Sequence, residues 1–252
     1  MKLRDGLIGH YHANCVLPFT GSDDEENLNK RLKTEPADWY YRSANISYSF
    51  NSLGHRSVEP HEIDFDNYIL TTGCSHTEGI GVALEDSYAY VLSKRLGCDY
   101  YNLGLGGTGI DTVIHNLTMW LSRYKPPKAL IVQWPHHARF LTARTDPDTA
   151  PDSEKDIFVC HGAWSYGEGL DMILTGESLN YFKGVRDLAK IKIDSLNITT
   201  VHVTPSHEAS YPDVAIPMVK LDLGRDAHYG RMSNKALALS IHHSLLIKEK
   251  YK

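Results

Sequence analysis

From Tyr68 onward the apolar positions of this chain alternate between two periods. Tyr68 to Thr72 is a short continuous apolar run of the kind a buried strand makes, and Asp99 to Leu103, Ala129 to Trp134 and Thr199 to Val203 repeat it. Between the runs the spacing becomes helical. Tyr88, Val91, Leu92 and Leu96 share one face after Asp86 and Ser87. Ile110, Val113, Ile114, Leu117, Trp120, Leu121 and Tyr124 form a longer stripe, ended by Pro126 and Pro127, because proline lacks the N–H that a helix needs. A last amphipathic helix carries Leu237, Ile241 and Leu245. Strand and helix in alternation predict an α/β fold of three layers around a doubly wound, mainly parallel sheet, whose ligands bind beyond the carboxyl ends of the strands.

Two segments depart from that pattern. Residues 1–62 carry an acidic run, Asp23 to Glu26, an aromatic cluster, Trp39 to Tyr41, and short alternating stretches such as Ile46 to Phe50, which read as an N-terminal extension with short strands. Residues 63–252 form the main domain. Within it, residues 142–176 lose periodicity around a polar, proline-bearing loop, and read either as a flap insertion beside the site or as a plain surface excursion.

At 252 residues and 42% hydrophobic content the chain can bury a sizeable core. A net charge of −5 supplies no basic surplus for phosphates, so nucleic acid is not an expected partner. Met1 to Gly6 lacks the apolar core of a signal peptide, and no apolar run approaches the roughly 20 residues that cross a bilayer, so a soluble chain is expected. Cys15, Cys74, Cys98 and Cys160 form no CxxC pair, which argues against zinc and dithiol chemistry and for reduced thiols. Asn-x-Ser/Thr triplets at Asn45, Asn116 and Asn197 carry no weight without a secretion signal.

The candidate chemistry sits where the fold would put it. Gly73 to Gly79, reading GCSHTEG, places Ser75 at the exit of the first strand; Asn102 to Gly107, reading NLGLGG, follows the second; Arg225 to Gly230, reading RDAHYG, precedes the last helix. The resulting order Ser, Asp, His recurs in serine hydrolases. Together these blocks resemble the SGNH or GDSL-like hydrolase family over Asn51 to about Leu239, with Asn51 to Arg56 similar to the lead-in before the nucleophile strand. The resemblance implies a flavodoxin-like arrangement and a serine esterase working through an acyl-enzyme. It makes Ser75 the nucleophile and His228 the base, with Asp226 orienting the ring. The backbone N–H groups of Ser75 and Gly107 become the oxyanion hole, with Asn102 supporting that loop. Many such proteins remove O-acetyl groups from carbohydrates, so a small-molecule or glycan ester is the implied substrate and no cofactor is implied. A lipid acyl hydrolase and a non-catalytic glycan-binding or assembly module are the alternatives.

The chain departs from the family pattern in three places. Cys74 stands where the first block has aspartate. As a rival nucleophile it is disfavoured, because adjacent side chains on extended backbone point oppositely. The third block, Gly-x-Asn-Asp, is missing; His137 falls nearest the absent asparagine, with Gln133 and His136 as alternatives for the third oxyanion donor. Asp226 and His228 are spaced DxH rather than DxxH, so Asp222 or a backbone carbonyl could orient the ring while Asp226 caps a turn. The glycines from Gly104 to Gly109 also spell GxGxxG. No Asp or Glu lies between Asp111 and Asp146 to hold a ribose, which argues against a dinucleotide turn. The pair His136 and His137 lacks a third ligand at recognisable spacing, so no metal is expected.

Overall fold

The computed structural model describes residues 1–136, 139–144, 157–161, 176–205, 213–216, 221–226 and 228–250. Five parallel strands form the central sheet: β5 (Tyr68–Thr72), β6 (Asp99–Asn102), β7 (Ala129–Gln133), β10 (Thr199–Pro205) and β11 (Val214–Ile216), in the order β11-β10-β7-β5-β6. The chain runs outward from β5 to β6, then returns across β5 to β7 and continues to the opposite edge. This reversal places the topological switch at the carboxyl ends of β5 and β7, the position at which open α/β sheets bind ligands.

Alternation along the strands sorts side chains into two cores. Tyr68, Leu70, Tyr101, Leu130 and Val132 face α4 (Ile110–Leu121), whose Ile110, Val113, Leu117 and Trp120 cover them, together with Ile193 of α5 (Gly176–Asp194). Ile69, Tyr100, Ile131, Val201 and Val203 face the other way, against Tyr88, Ala89 and Leu92 of α3 (Tyr88–Leu96) and Leu237, Ala238, Ile241 and Leu245 of α6 (Arg231–Lys250). The architecture is therefore a three-layer, doubly wound α/β fold. Ser87 caps α3 by accepting from the Tyr90 N–H, and Gly97 ends it in the left-handed conformation.

Residues 1–62 pack onto this sandwich. A hairpin of β1 (Lys2–Arg4) and β2 (Leu7–Gly9) lies against α4, where buried Asn116 donates to the Ile8 carbonyl and accepts from the Ile8 N–H, both at 2.8 Å. Leu7 and Leu53 belong to the same core as Tyr68 and Trp120. Asn116 is spent in this contact, which removes it as a glycan acceptor. Two further short strands, β3 (Val16–Leu17) and β4 (Tyr48–Ser49), pair antiparallel, and the acidic run opens α1 (Glu25–Thr34), with Asp24 accepting from the Asn27 N–H at 2.7 Å. In the region where periodicity was lost, β8 (Phe140–Arg144) and β9 (Ile157–His161) form an antiparallel ribbon. The rest of the expected flap lies outside the described residues.

Asp23 ties the N-terminal segment to the loop before α6. Its carboxylate, fully buried, takes a bidentate pair from Arg225, with Nε at 2.7 Å and Nη2 at 2.6 Å, and also accepts from the Tyr48 hydroxyl. Removing one partner of a buried pair leaves an uncompensated charge. Asp23→Ala should therefore destabilise the fold by about 3–5 kcal/mol in urea denaturation, whereas Val16→Ala, at an exposed position, should shift it by under about 0.5 kcal/mol.

Candidate active site

Ser75 is the first residue of a single helical turn, α2 (Ser75–Glu78), that begins three residues after β5 ends. The turn is held from several sides. Thr77 Oγ donates to the Gln133 side chain and accepts from the Tyr88 hydroxyl at 3.0 Å, and the Asn102 amide donates to the Thr77 carbonyl at 2.7 Å. Asn102 Oδ1 accepts from the Gly104 N–H at 2.9 Å, so the Asn102 side chain binds the serine turn to the glycine loop. The lead-in segment acts from below: buried Arg56 donates to the carbonyls of Gly79 at 2.5 Å and Val82 at 3.0 Å.

On the opposite wall, residues 222–226 and 228–230 face each other as the two arms of a tight hairpin. The Gly224 N–H donates to the His228 carbonyl at 2.8 Å and the Gly230 N–H to the Asp222 carbonyl at 3.1 Å. The hairpin brings His228 Nε2 to 2.8 Å from Ser75 Oγ. Its Nδ1–H donates to Asp226 Oδ2 at 2.5 Å, and the His228 backbone N–H donates to Asp226 Oδ1 at 3.0 Å. That backbone bond is an Asx-type turn, which lets a carboxylate two residues upstream reach the ring. The DxH spacing thus forms a bonded pair. Asp222 does not approach the ring; its carboxylate accepts from the N–H groups of Met232 and Ser233 and caps α6.

Two residues that the sequence reading passed over complete the site. Ser22 Oγ donates to Asp226 Oδ2 at 2.7 Å, although it lies 204 residues away. Gly81 sits under the same carboxylate: a Cβ there would fall 2.2 Å from Asp226 Oδ1, and its φ of +83° already favours glycine. Neither residue carried a signal of this role in the sequence, because the contact each makes with Asp226 is fixed by tertiary structure alone. His76, the residue after the serine, stacks on Tyr229 at 4.5 Å and meets the His228 ring edge-on at 4.8 Å.

Ser75, Glu78, Gly106, Gly107, Ser22 and His228 line a cleft of about 650 Å³. The N–H groups of Ser75 and Gly107 have no acceptor among the described residues. Cys74 is buried and does not line the cleft; its sulfur lies 4.0 Å from Ser75 Oγ. Of the three groups considered for the missing third block, Gln133 is buried and bonded to Thr77, His136 is exposed and does not line the cleft, and His137 lies outside the described residues. Among the described residues no group of three or more His, Cys, Asp or Glu is placed to hold a metal, and no helix is long and apolar enough to cross a membrane.

Fold and site together define an α/β protein with a Ser-His-Asp constellation at the carboxyl edge of its sheet. No family model and no curated protein matches the sequence. Among solved structures the chain is similar to an acetyl xylan esterase from the rumen bacterium Butyrivibrio proteoclasticus, at 14% identity and a TM-score of 0.46, over 73% of this chain and 64% of that one. It is also similar to a carbohydrate esterase family 2 enzyme with a carbohydrate-binding domain from Corynascus thermopiles (Myceliophthora fergusii), at 12% identity and 0.43, over 71% and 65%. A member of the lipolytic protein G-D-S-L family from Veillonella parvula matches at 11% and 0.37, over 70% and 96%. The chain spans just under two thirds of the first two proteins. At such identities and scores the likeness assigns no activity, and the chemistry rests on the geometry above.

Burial alone would push the Asp226 carboxyl up, but hydrogen bonding and charge attraction from His228, aided by the Ser22 hydroxyl, outweigh it and hold the group at about 2, against an ordinary 3.8. A depressed carboxylate contributes stability that is fully present above its unfolded value and is lost as pH falls through its folded value. The stability difference between wild type and Asp226→Asn should therefore shrink by about 2 kcal/mol as pH drops from about 5 to about 2, followed by urea denaturation at each pH.

Proposed function

We propose that the protein is an SGNH-like serine esterase that cleaves carboxylic esters through an acyl-enzyme. The observation that carries this reading is the continuous hydrogen-bond chain from Ser75 Oγ to His228 Nε2 and from His228 Nδ1 to Asp226, opening on a cleft beside a glycine loop. In this reading His228 takes the Ser75 proton as Oγ attacks the ester carbonyl, and Asp226 keeps the ring in the tautomer with the proton on Nδ1 and stabilises the imidazolium. The oxyanion is received by the free N–H groups of Ser75 and Gly107. His228 then protonates the leaving alcohol. A water attacks the acyl-enzyme with His228 again as base, which releases the acid and restores Ser75.

The cleft lining bears on the substrate. Tyr11, His10, Thr20, Ser22 and Arg139 surround the nucleophile, while Ile80 and Met1 are the aliphatic groups among the described lining residues. A cleft of this size and mixed lining accommodates a short acyl group on a polar alcohol, a class that includes O-acetylated carbohydrate. Ser75→Ala should lower kcat/KM for p-nitrophenyl acetate by about a thousandfold or more without altering the melting transition. Asp226→Asn should lower kcat strongly, and His228→Ala at least as much. Equal turnover by Ser75→Ala would remove the serine from its role, and an inert wild type across a panel of acyl esters would favour a binding module.

A further inference from the structure

Glu78 belongs to the cleft wall, yet the serine chemistry above leaves it without a task. It ends the α2 turn that Ser75 begins, and it is 1% exposed. Its Oε2 accepts from the Gly106 N–H, and its Oε1 is buried with no hydrogen-bond partner among the described residues. Gly106 is wedged against Ser75 and Glu78 of the turn and Ile80 just beyond it: a Cβ on it would lie 3.0 Å from Glu78 Oε2, 2.8 Å from the Ile80 methyl and 3.9 Å from the Ser75 Cβ. The carboxyl group therefore fastens the strand of the glycine loop next to Gly107. Resting on the esterase reading, we propose that Glu78 is a positioning residue that works as a neutral acid, holding the Gly106 and Gly107 backbone beside Ser75, and that its ionisation disables the site.

The unpaired oxygen favours the neutral form. A buried carboxylate with one unpartnered oxygen leaves charge unsolvated, whereas the acid can place its proton on Oε1 and keep Oε2 as the acceptor for Gly106. Burial pushes the Glu78 carboxyl up to about 7, against the opposing influences of the Gly106 N–H, of the Arg56 cation on the lead-in segment and of His228, the titratable group that faces it from the hairpin before α6. An ionised Glu78 would also set a negative charge beside the place where the oxyanion develops, and like charges there raise the barrier.

The test compares wild type, Glu78→Gln and Glu78→Ala on p-nitrophenyl acetate across pH 5.5–9, with melting transitions as a control for folding. Wild-type kcat should fall about tenfold per pH unit above about 7. Glu78→Ala, which frees the loop, should lose about a hundredfold in kcat with little change in KM, the cost of one misplaced oxyanion donor. Glu78→Gln keeps a neutral acceptor for Gly106, so it should recover most of that loss and show no alkaline fall. A wild-type kcat that stays level above pH 7, or a glutamine variant as impaired as the alanine one, overturns the proposal. An independent reading needs no turnover: infrared difference spectra should show a protonated carboxyl band that bleaches with a midpoint of about 7 in wild type and is absent from Glu78→Gln. Absence of that band at pH 5.5 overturns the neutral acid even where the esterase reading stands, and its presence in a protein inert to esters overturns the esterase reading instead.

Discussion

The buried ion pair between Asp23 and Arg225 is the constraint on which the site depends. A serine at the end of β5 is fixed by the sheet, but its base arrives on a hairpin from the far end of the chain, and nothing in the sheet dictates where that hairpin lies. Arg225 resolves this. Its side chain is clamped by Asp23 and donates to the Pro18 carbonyl at 2.5 Å, while its backbone N–H donates to the Gly81 carbonyl at 2.8 Å. One residue thus joins the N-terminal segment, the loop after the serine turn and the strand of chain that carries Asp226 and His228. Burying two charges is costly, and a pair of this kind is more convincing as a device for register than as a source of net stability. Here the register is the 2.8 Å contact from His228 to Ser75.

The same network explains how residues 1–62 relate to the site. Read by pattern they look like an appendage, because their strands are two or three residues long and α1 buries none of its residues, so no apolar stripe marks it. Packed, they supply Leu7 and Leu53 to the main core, Ser22 to the Asp226 carboxylate and His10 and Tyr11 to the cleft rim. These contributions come from side chains whose partners are far away in sequence. No local period encodes them.

What was legible followed physical regularity. The strands β5, β6, β7 and β10 and the helices α3, α4 and α6 were visible because each buries a continuous run or a regular face, and they set the parallel order that brings the serine loop to the switch point. The hairpin β1 and β2, the edge strand β11 and helix α5 were not. The first two are three residues long, and α5 leaves Leu188 and Ile191 about two thirds exposed, at 69% and 67%, which blurs its apolar face. Within the site, the positions of Ser75, Gly107, Asn102 and His228 followed from strand ends and the family pattern. The roles of Ser22 and Gly81 did not, since their contacts with Asp226 are made across the fold.

The short DxH spacing shows how a departure in sequence is absorbed by tertiary structure. A carboxylate two residues before a histidine must fold back to meet the ring, and such a turn needs both a bond to hold it and space to accommodate it. The His228 N–H supplies the bond, at 3.0 Å to Asp226 Oδ1. Gly81 supplies the space, because any side chain there would collide with that same oxygen. Ser22 then takes the lone pair of Oδ2 that the ring leaves open, and Asp222, the competing carboxylate, is fully engaged at the start of α6. Asp226 therefore accepts three hydrogen bonds, two from the neighbouring His228 and one from Ser22 at the far end of the chain. A carboxylate so satisfied stays ionised against its own burial, which is the state required of it if it is to steady a charged imidazole.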